Sequence, residues 1–105
     1  MNKELTNTTC EIIAVVGSAK SAFIEATRAA REKDIARAKE LLNIGSEQFQ
    51  QGHCLHADLL RRFANGEEIE LDILLVHAEC LLTSAEDFQT IARELIEFVE
   101  DDTKK

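Results

Sequence analysis

IARAKELLNIGSEQFQQGHCLHADLLRRFANG, residues 35–66, decides the fold. Within it Ile35, Ala38, Leu42, Gly45, Phe49, Gly52, His56, Leu59 and Phe63 follow one another at intervals of three and four without a slip. That spacing keeps one face of an α-helix turned toward a core. Asp34 stands where an N-cap carboxylate would receive the first free amides. Asn65-Gly66 closes the segment, because both residues tolerate a left-handed backbone. The segments on either side read the same way. Ile12, Val16, Ala19, Phe23, Ala26 and Ala30 step by four and three before the polar stretch Arg31-Glu32-Lys33-Asp34. Leu74, His77, Leu81, Ser84, Phe88, Ile91, Leu95 and Phe98 repeat the alternation near the C-terminus.

Three segments of roughly 25–30 residues, each about 40 Å of helix, are joined by short connections near 32–34 and 65–70. Short connections make neighbours antiparallel. The prediction is an all-α fold, an antiparallel up-down-up three-helix bundle, with residues 1–105 forming a single domain whose ends fray over about 1–6 and 100–105. Composition agrees: 105 residues hold no Pro and only 4 Gly, so the turn punctuation of sandwiches and barrels is missing. A second apolar stripe (Leu41, Leu55 and Leu60 in the middle segment; Leu75, Ala78, Leu82 and Ala85 in the last) exceeds what one thin core requires. Surplus long apolar stripes become interfaces, so a homo-oligomer is expected.

Charge excludes one class of partner. The formal net charge is −8, and a nucleic-acid partner would need Lys and Arg for its phosphates. The acid is concentrated: residues 1–62 hold 9 basic and 8 acidic groups, residues 63–105 only 3 against 12. The N-terminus MNKELTNTTCE lacks the apolar core of a signal peptide. No apolar run approaches the ~18 residues of a membrane span, so direct membrane insertion is not expected. Cys10, Cys54 and Cys80 are odd in number and form no CxxC pair, which suits a reducing, cytoplasmic setting.

The chemistry-bearing residues collect at one level of the bundle. If the second and third segments turn around at 64–71, residues whose numbers sum to about 135 lie side by side. His56 is then level with Glu79, and His53, His56, His77 and Cys80 share a layer, with Cys10, Ile13 and Gly17 of the first segment beside it. His56 and His77 stand where the helical pattern calls for apolar residues; a hydrogen-bonded core histidine is the plain alternative for each. The i, i+3 pairs His53/His56 and His77/Cys80 offer nitrogen and sulfur suited to zinc, but not at finger or metalloprotease spacings. A cysteine–histidine pair inside a helix lacks oxyanion donors, because the backbone amides there are already bonded, and this argues against acyl transfer. The chain has no phosphate-cradling Gly-rich loop. What remains is a lone histidine acting as nucleophile, since imidazole is largely neutral at pH 7 and can accept a phosphoryl group.

LLVHAECLL, residues 74–82, resembles the LLVHAQDHLM signature of the lactose/cellobiose-type enzyme IIA of the bacterial phosphoenolpyruvate-dependent sugar phosphotransferase system. GSAKS (17–21) with Glu25-Ala26 is similar to the family's GxARSxxxEA, and Asp34-Ile35 followed by Ala38 to its GDFxxA turn. His53, Leu59-Leu60 and Ala64-Asn65-Gly66-Glu67 fall where the family has AHxxQTxLI and its EAxGE turn. The likeness covers roughly residues 11–98. It implies a three-helix bundle that forms a homotrimer. It also implies a phosphoryl carrier that accepts phosphate on His77 from the histidine-containing phosphocarrier protein. The group then passes to a cysteine of enzyme IIB, for uptake of a β-linked disaccharide of the lactose, cellobiose or chitobiose class.

The departures from the pattern are local. Glu79 replaces a Gln, and Cys80 replaces the Asp that binds a metal on the trimer axis, so no central metal or other cofactor is expected. Leu81 replaces the second signature histidine, His56 a Gln of helix two, and Lys20 an Arg, which keeps the charge but not the forked hydrogen bonding. His53, His56 and Glu79 are the expected supporting residues around His77, and Cys80 is expected as a small buried group on the trimer axis. Cys10 and Cys54 are read as packing. The rival reading is a structural or regulatory helical trimer that has lost phosphotransfer, and the altered signature is its basis.

Overall fold

Two aspartates and one glycine divide the chain. The computed structural model describes residues 3–105, with α1 at Lys3–Arg31, α2 at Ile35–Ala64 and α3 at Ile73–Thr103. Asp34 accepts a hydrogen bond from the Arg37 amide at 3.2 Å and opens α2, as its position predicts. Asp72 does the same for α3, accepting from the Leu75 amide at 2.9 Å. Gly66, at φ +92°, ends α2: its amide donates to Phe63 O and the Glu67 amide to Arg62 O, which satisfies the last carbonyls. Lys33 makes the equivalent turn after α1 at φ 66°, a left-handed conformation that costs a residue with a Cβ.

The three helices form an antiparallel bundle 56 × 20 × 18 Å in extent. α1 carries most of the packing, against α2 on one side and α3 on the other. Its predicted stripe is fully realised: Ile12, Val16, Ala19, Phe23, Ala26 and Ala30 are all buried. Burying Phe23 alone stabilises the fold by roughly 1.5–3 kcal/mol. On α2, Ala38, Gly45, Gly52 and Leu59 face the core as the spacing requires, joined by Leu41. The two glycines mark the closest approach to α1. A Cβ at Gly45 would meet the Phe23 ring at 2.6 Å, and one at Gly52 would meet Val16 Cγ2 at 2.3 Å.

The register between α2 and α3 is the predicted one. Gln89 Nε2 donates to Ser46 Oγ at 2.8 Å, and His56 pairs with Glu79; both pairs sum to about 135. Lys39 and Glu100 tie the far end at 2.6 Å.

The face of α3 differs from expectation. Its buried residues are Leu75, Ala78, Leu82, Ala85, Ala92 and Ile96. Most of these are the stripe read as surplus, whereas Leu74, His77, Ile91 and Phe98 are turned outward. Both stripes obey the helical period, so spacing could not choose between them. Size does: Ala78, Ala85 and Ala92 let α3 come close to α1, where Phe23 fills the space beside Ala92.

Of the ends expected to fray, residues 3–6 belong to α1 and 100–103 to α3, while 104–105 lie beyond the last helix. α1 already holds Leu5 in the core, and α3 continues to Thr103. Residues 1 and 2 of the N-terminal expectation lie outside the described residues. Cys10 and Cys54 depart from expectation. Cys10, Cys54 and Cys80 are all free and exposed in the protomer, so Cys10 and Cys54 do not serve as packing.

Candidate functional site

α3 presents His77 on the side of the helix away from the core. The core-facing residues Leu75, Ala78 and Leu82 lie roughly 100–200° around the helix from it. His77 is exposed, and among the described residues it has no hydrogen bond or ion pair. Its neighbours on that face, one turn away in either direction, are Ile73, Leu74, Cys80 and Leu81. An imidazole exposed on a helix can, in its neutral form, act as a nucleophile toward a group brought by another molecule.

The other expected members of the layer are at the right level but on different faces. His53 is exposed and stacks on Phe49, ring centroids 6.3 Å apart. His56 is partly buried, and its Nε2 lies 2.5 Å from Glu79 Oε1. A carboxylate can only accept, so Nε2 carries the proton. Glu79 therefore faces α2 while His77, two residues away, faces outward. The two substituted positions, His56 and Glu79, are thus one contact between helices. Cys80 is exposed and lines an open groove of about 560 Å³ with Glu79, Ser84, Phe88 and Ile91. Among the described residues no group of three or more His, Cys, Asp or Glu side chains could hold a metal ion.

Lys20 reaches this side of α3, its Nζ 5.2 Å from the centroid of the Phe88 ring. Gly17 lies against Leu81, with the leucine Cδ2 4.0 Å from where a Cβ would be, so α1 leaves room beside the stripe.

Spacing alone did not expose the corner between α2 and α3. Phe63, Leu71 and Ile73 are all more than half exposed, and the last two stand outside the helical stripe that located the core. Arg62 builds this corner. It donates to both oxygens of Glu67 at 2.6 and 2.7 Å and to Glu4 at 2.9 Å, linking the start of α1 to the turn after α2. Its hydrogen bonds hold the Glu67 carboxyl below the usual carboxylate range.

Fold and site together describe an all-helical bundle with an exposed, unpaired histidine on the outer side of its third helix. The family model "PTS system, Lactose/Cellobiose specific IIA subunit" matches residues 7–100, and the chain belongs to that family. It is 31% identical over 105 residues to the lichenan-specific phosphotransferase enzyme IIA component of Bacillus subtilis (strain 168), covering 100% of this chain and 96% of that protein. It is 36% identical over 85 residues to the PTS system galactose-specific EIIA component of Lactococcus lactis subsp. cremoris (strain MG1363), covering 81% and 73%. The crystal structure of the PTS cellobiose-specific enzyme IIA from Bacillus anthracis matches with a TM-score of 0.93 at 27% identity, covering 100% of this chain and 96% of that one. The crystal structure of PtcA from S. mutans matches with a TM-score of 0.91 at 34% identity, covering 95% and 99%. Proteins of this family are phosphotransferase components that serve sugar uptake. No helix among the described residues is long and apolar enough to cross a membrane.

Proposed function

We propose that His77 accepts a phosphoryl group from the histidine-containing phosphocarrier protein and passes it to a cysteine of enzyme IIB, in the cytoplasm, during uptake of a β-linked disaccharide. The observation that carries this reading is an unpartnered, exposed imidazole within LLVHAECLL, the stretch whose resemblance to the family signature implies the acceptor. In the first step a neutral ring nitrogen of His77 attacks phosphorus in line, forming its P–N bond as the donor's P–N bond breaks. In the second the IIB thiolate attacks, forming a P–S bond and releasing neutral His77. The group transferred needs little covalent help, so the protein contributes positioning and charge neutralisation. His53, His56 and Glu79 act as support: the His56–Glu79 contact fixes α3 on α2 at the level of His77 and turns the carboxylate away from the phosphoryl group.

The same reading makes residues 1–105 one domain and the working unit a homotrimer. Leu74, Ile91 and Phe98 stand exposed on the outward side of α3, Ile91 56% and Phe98 69%, and the half-buried Leu81, Phe88 and Leu95 join them to the core at three–four spacing. A stripe of that length is more than a stable monomer leaves in water. His77 and Cys80 stand on it, so neighbouring copies complete the site and Cys80 lies at the axis. The metal that the family resemblance implies does not fit there. A thiol is a poor ligand for the hard cations that carboxylate oxygens hold.

The test is incubation with phosphoenolpyruvate, enzyme I and a cognate phosphocarrier. An acid-labile phosphoryl group on the wild type that disappears in His77→Ala supports the relay. An unlabelled wild type would leave only the structural helical trimer. Sedimentation should give three chains, and a monomer would contradict the interface.

A further inference from the structure

The thiol that turns a hard cation away from position 80 suits a softer one. His77 and Cys80 are both exposed, and at three residues apart on α3 they share one face, their Cβ atoms about 5–6 Å apart. An ion bound at about 2.1 Å by an imidazole nitrogen and about 2.3 Å by a thiolate holds those two atoms roughly 3.6 Å apart, within reach of side chains at this spacing. Glu-x-x-His pairs on the helices of metal-binding bundles use the same interval.

The other nitrogen and sulfur groups are engaged or isolated. His56 bonds to Glu79, His53 stacks on Phe49, and Cys54 Sγ accepts from Gln50 Nε2 at 3.6 Å. Cys10 stands on α1, a helix without a histidine. His77 and Cys80 have no hydrogen bond or ion pair among the described residues. The local field favours a cation: the groove beside Cys80 is lined by Glu79 and Asp87 and by no Lys or Arg. Lys20 lies over Phe88, roughly two turns further along α3. One copy supplies only this pair, so no group of three forms within the described residues. The pair stands on the side of α3 that meets a neighbouring copy in the proposed assembly, and that copy's pair fills the remaining positions of a tetrahedral ion.

We propose that His77 and Cys80 form a zinc site, and that the bound ion blocks acceptance of the phosphoryl group. Zn²⁺ takes the thiolate of Cys80, whose proton leaves to solvent, and the unprotonated ring nitrogen of His77. The other ring nitrogen carries the proton of the neutral imidazole, so no lone pair is left for phosphorus. The ion inhibits and takes no part in the transfer. The block rests on His77 being the acceptor; the binding does not.

Cobalt as a coloured substitute and zinc in the transfer assay test the two halves, with the thiols kept reduced by a phosphine. Co²⁺ added to the whole protein should give thiolate-to-cobalt charge-transfer absorption, which Zn²⁺ then displaces. Cys80→Ser exchanges an exposed thiol for a hydroxyl of similar size and should abolish the band, whereas Cys10→Ser and Cys54→Ser should keep it. No band in the wild type, or one that survives Cys80→Ser, overturns the site. Histidine ring signals should shift with Zn²⁺ at His77, and a shift confined to His53 or His56 overturns ligation by His77. In the transfer assay, saturating Zn²⁺ should slow phosphorylation of the wild type about tenfold or more and that of Cys80→Ser less than about twofold. Enzyme I and the carrier are common to both reactions, so an equal loss in both places the zinc on those proteins and overturns the block. A metal-free wild type that accepts no phosphoryl group defeats the His77 reading and the block with it, while a cobalt band dependent on Cys80 upholds the site.

Discussion

Replacing Gly52 by Ala sets two opposing effects against each other. In a helix interior the change from Gly to Ala favours the folded state by about 1 kcal/mol. At this site, however, the new Cβ would lie 2.3 Å from Val16 Cγ2 and 3.3 Å from Val15 Cγ1. Val16 is fully buried in the cluster that includes Ile12, Leu59 and Ala78, and a β-branched side chain in a helix has one strongly preferred rotamer. It cannot rotate aside, so α2 must move off α1. Overpacking of this kind costs about 1–3 kcal/mol, and the separation places Gly52 toward the upper end. The net expectation is a loss of about 1–2 kcal/mol, or a fall in Tm of roughly 4–8 °C for each kcal/mol. Gly17→Ala is the internal reference. It carries the same propensity gain, but the nearest atom to its Cβ is Leu81 Cδ2 at 4.0 Å, so it should gain up to about 1 kcal/mol. Urea unfolding of both variants, at one protomer concentration to hold any assembly constant, reads the difference directly. A Gly52→Ala protein as stable as Gly17→Ala would refute the close approach of α1 and α2.

Other consequences follow from single contacts. Lys33→Gly relieves a side chain held at φ 66° and should stabilise the fold by about 0.5–1 kcal/mol in the same unfolding assay; a loss would mean that the lysine side chain contributes more than its backbone costs. A double-mutant cycle on His56→Gln and Glu79→Gln should give a coupling of about 0.5–1.5 kcal/mol, reduced from a buried charged pair because Glu79 is half exposed; additive effects would show that the contact is not made in solution. Arg62 lowers the Glu67 carboxyl below its ordinary range, so the contact stabilises the fold above that range and the contribution is lost as pH falls through the depressed value. Arg62→Gln should therefore shallow the acid limb of the stability curve, and an unchanged limb would contradict the pairing.

Much of the architecture is legible in residue spacing. The stripe on α1, the caps at Asp34 and Gly66 and the register that brings His56 to Glu79 all depend on local periodicity and short turns, which a sequence displays directly. The choice of face on α3 is not of that kind. Ala78, Ala85 and Ala92 and the bulkier set Leu74, Leu81 and Phe88 share one period, and only the shape of α1 decides that the alanines are fully buried while the larger residues stay at the core's edge. His77 stands on the second set, so its accessibility became visible only with the third helix in place. Cys10 and Cys54 show the reverse: small apolar character suggested packing, but both are exposed in the protomer.

The central claim is that His77 carries the phosphoryl group. Fragmentation mass spectrometry on the protein phosphorylated through enzyme I and the phosphocarrier, under alkaline conditions that preserve the P–N bond, locates it among the three histidines. The group should lie on His77 alone and be absent from His77→Gln, while His53→Gln and His56→Gln remain labelled. A phosphoryl group on His53 or His56 of the wild type, or a His77→Gln protein labelled as fully as the wild type, would contradict the account.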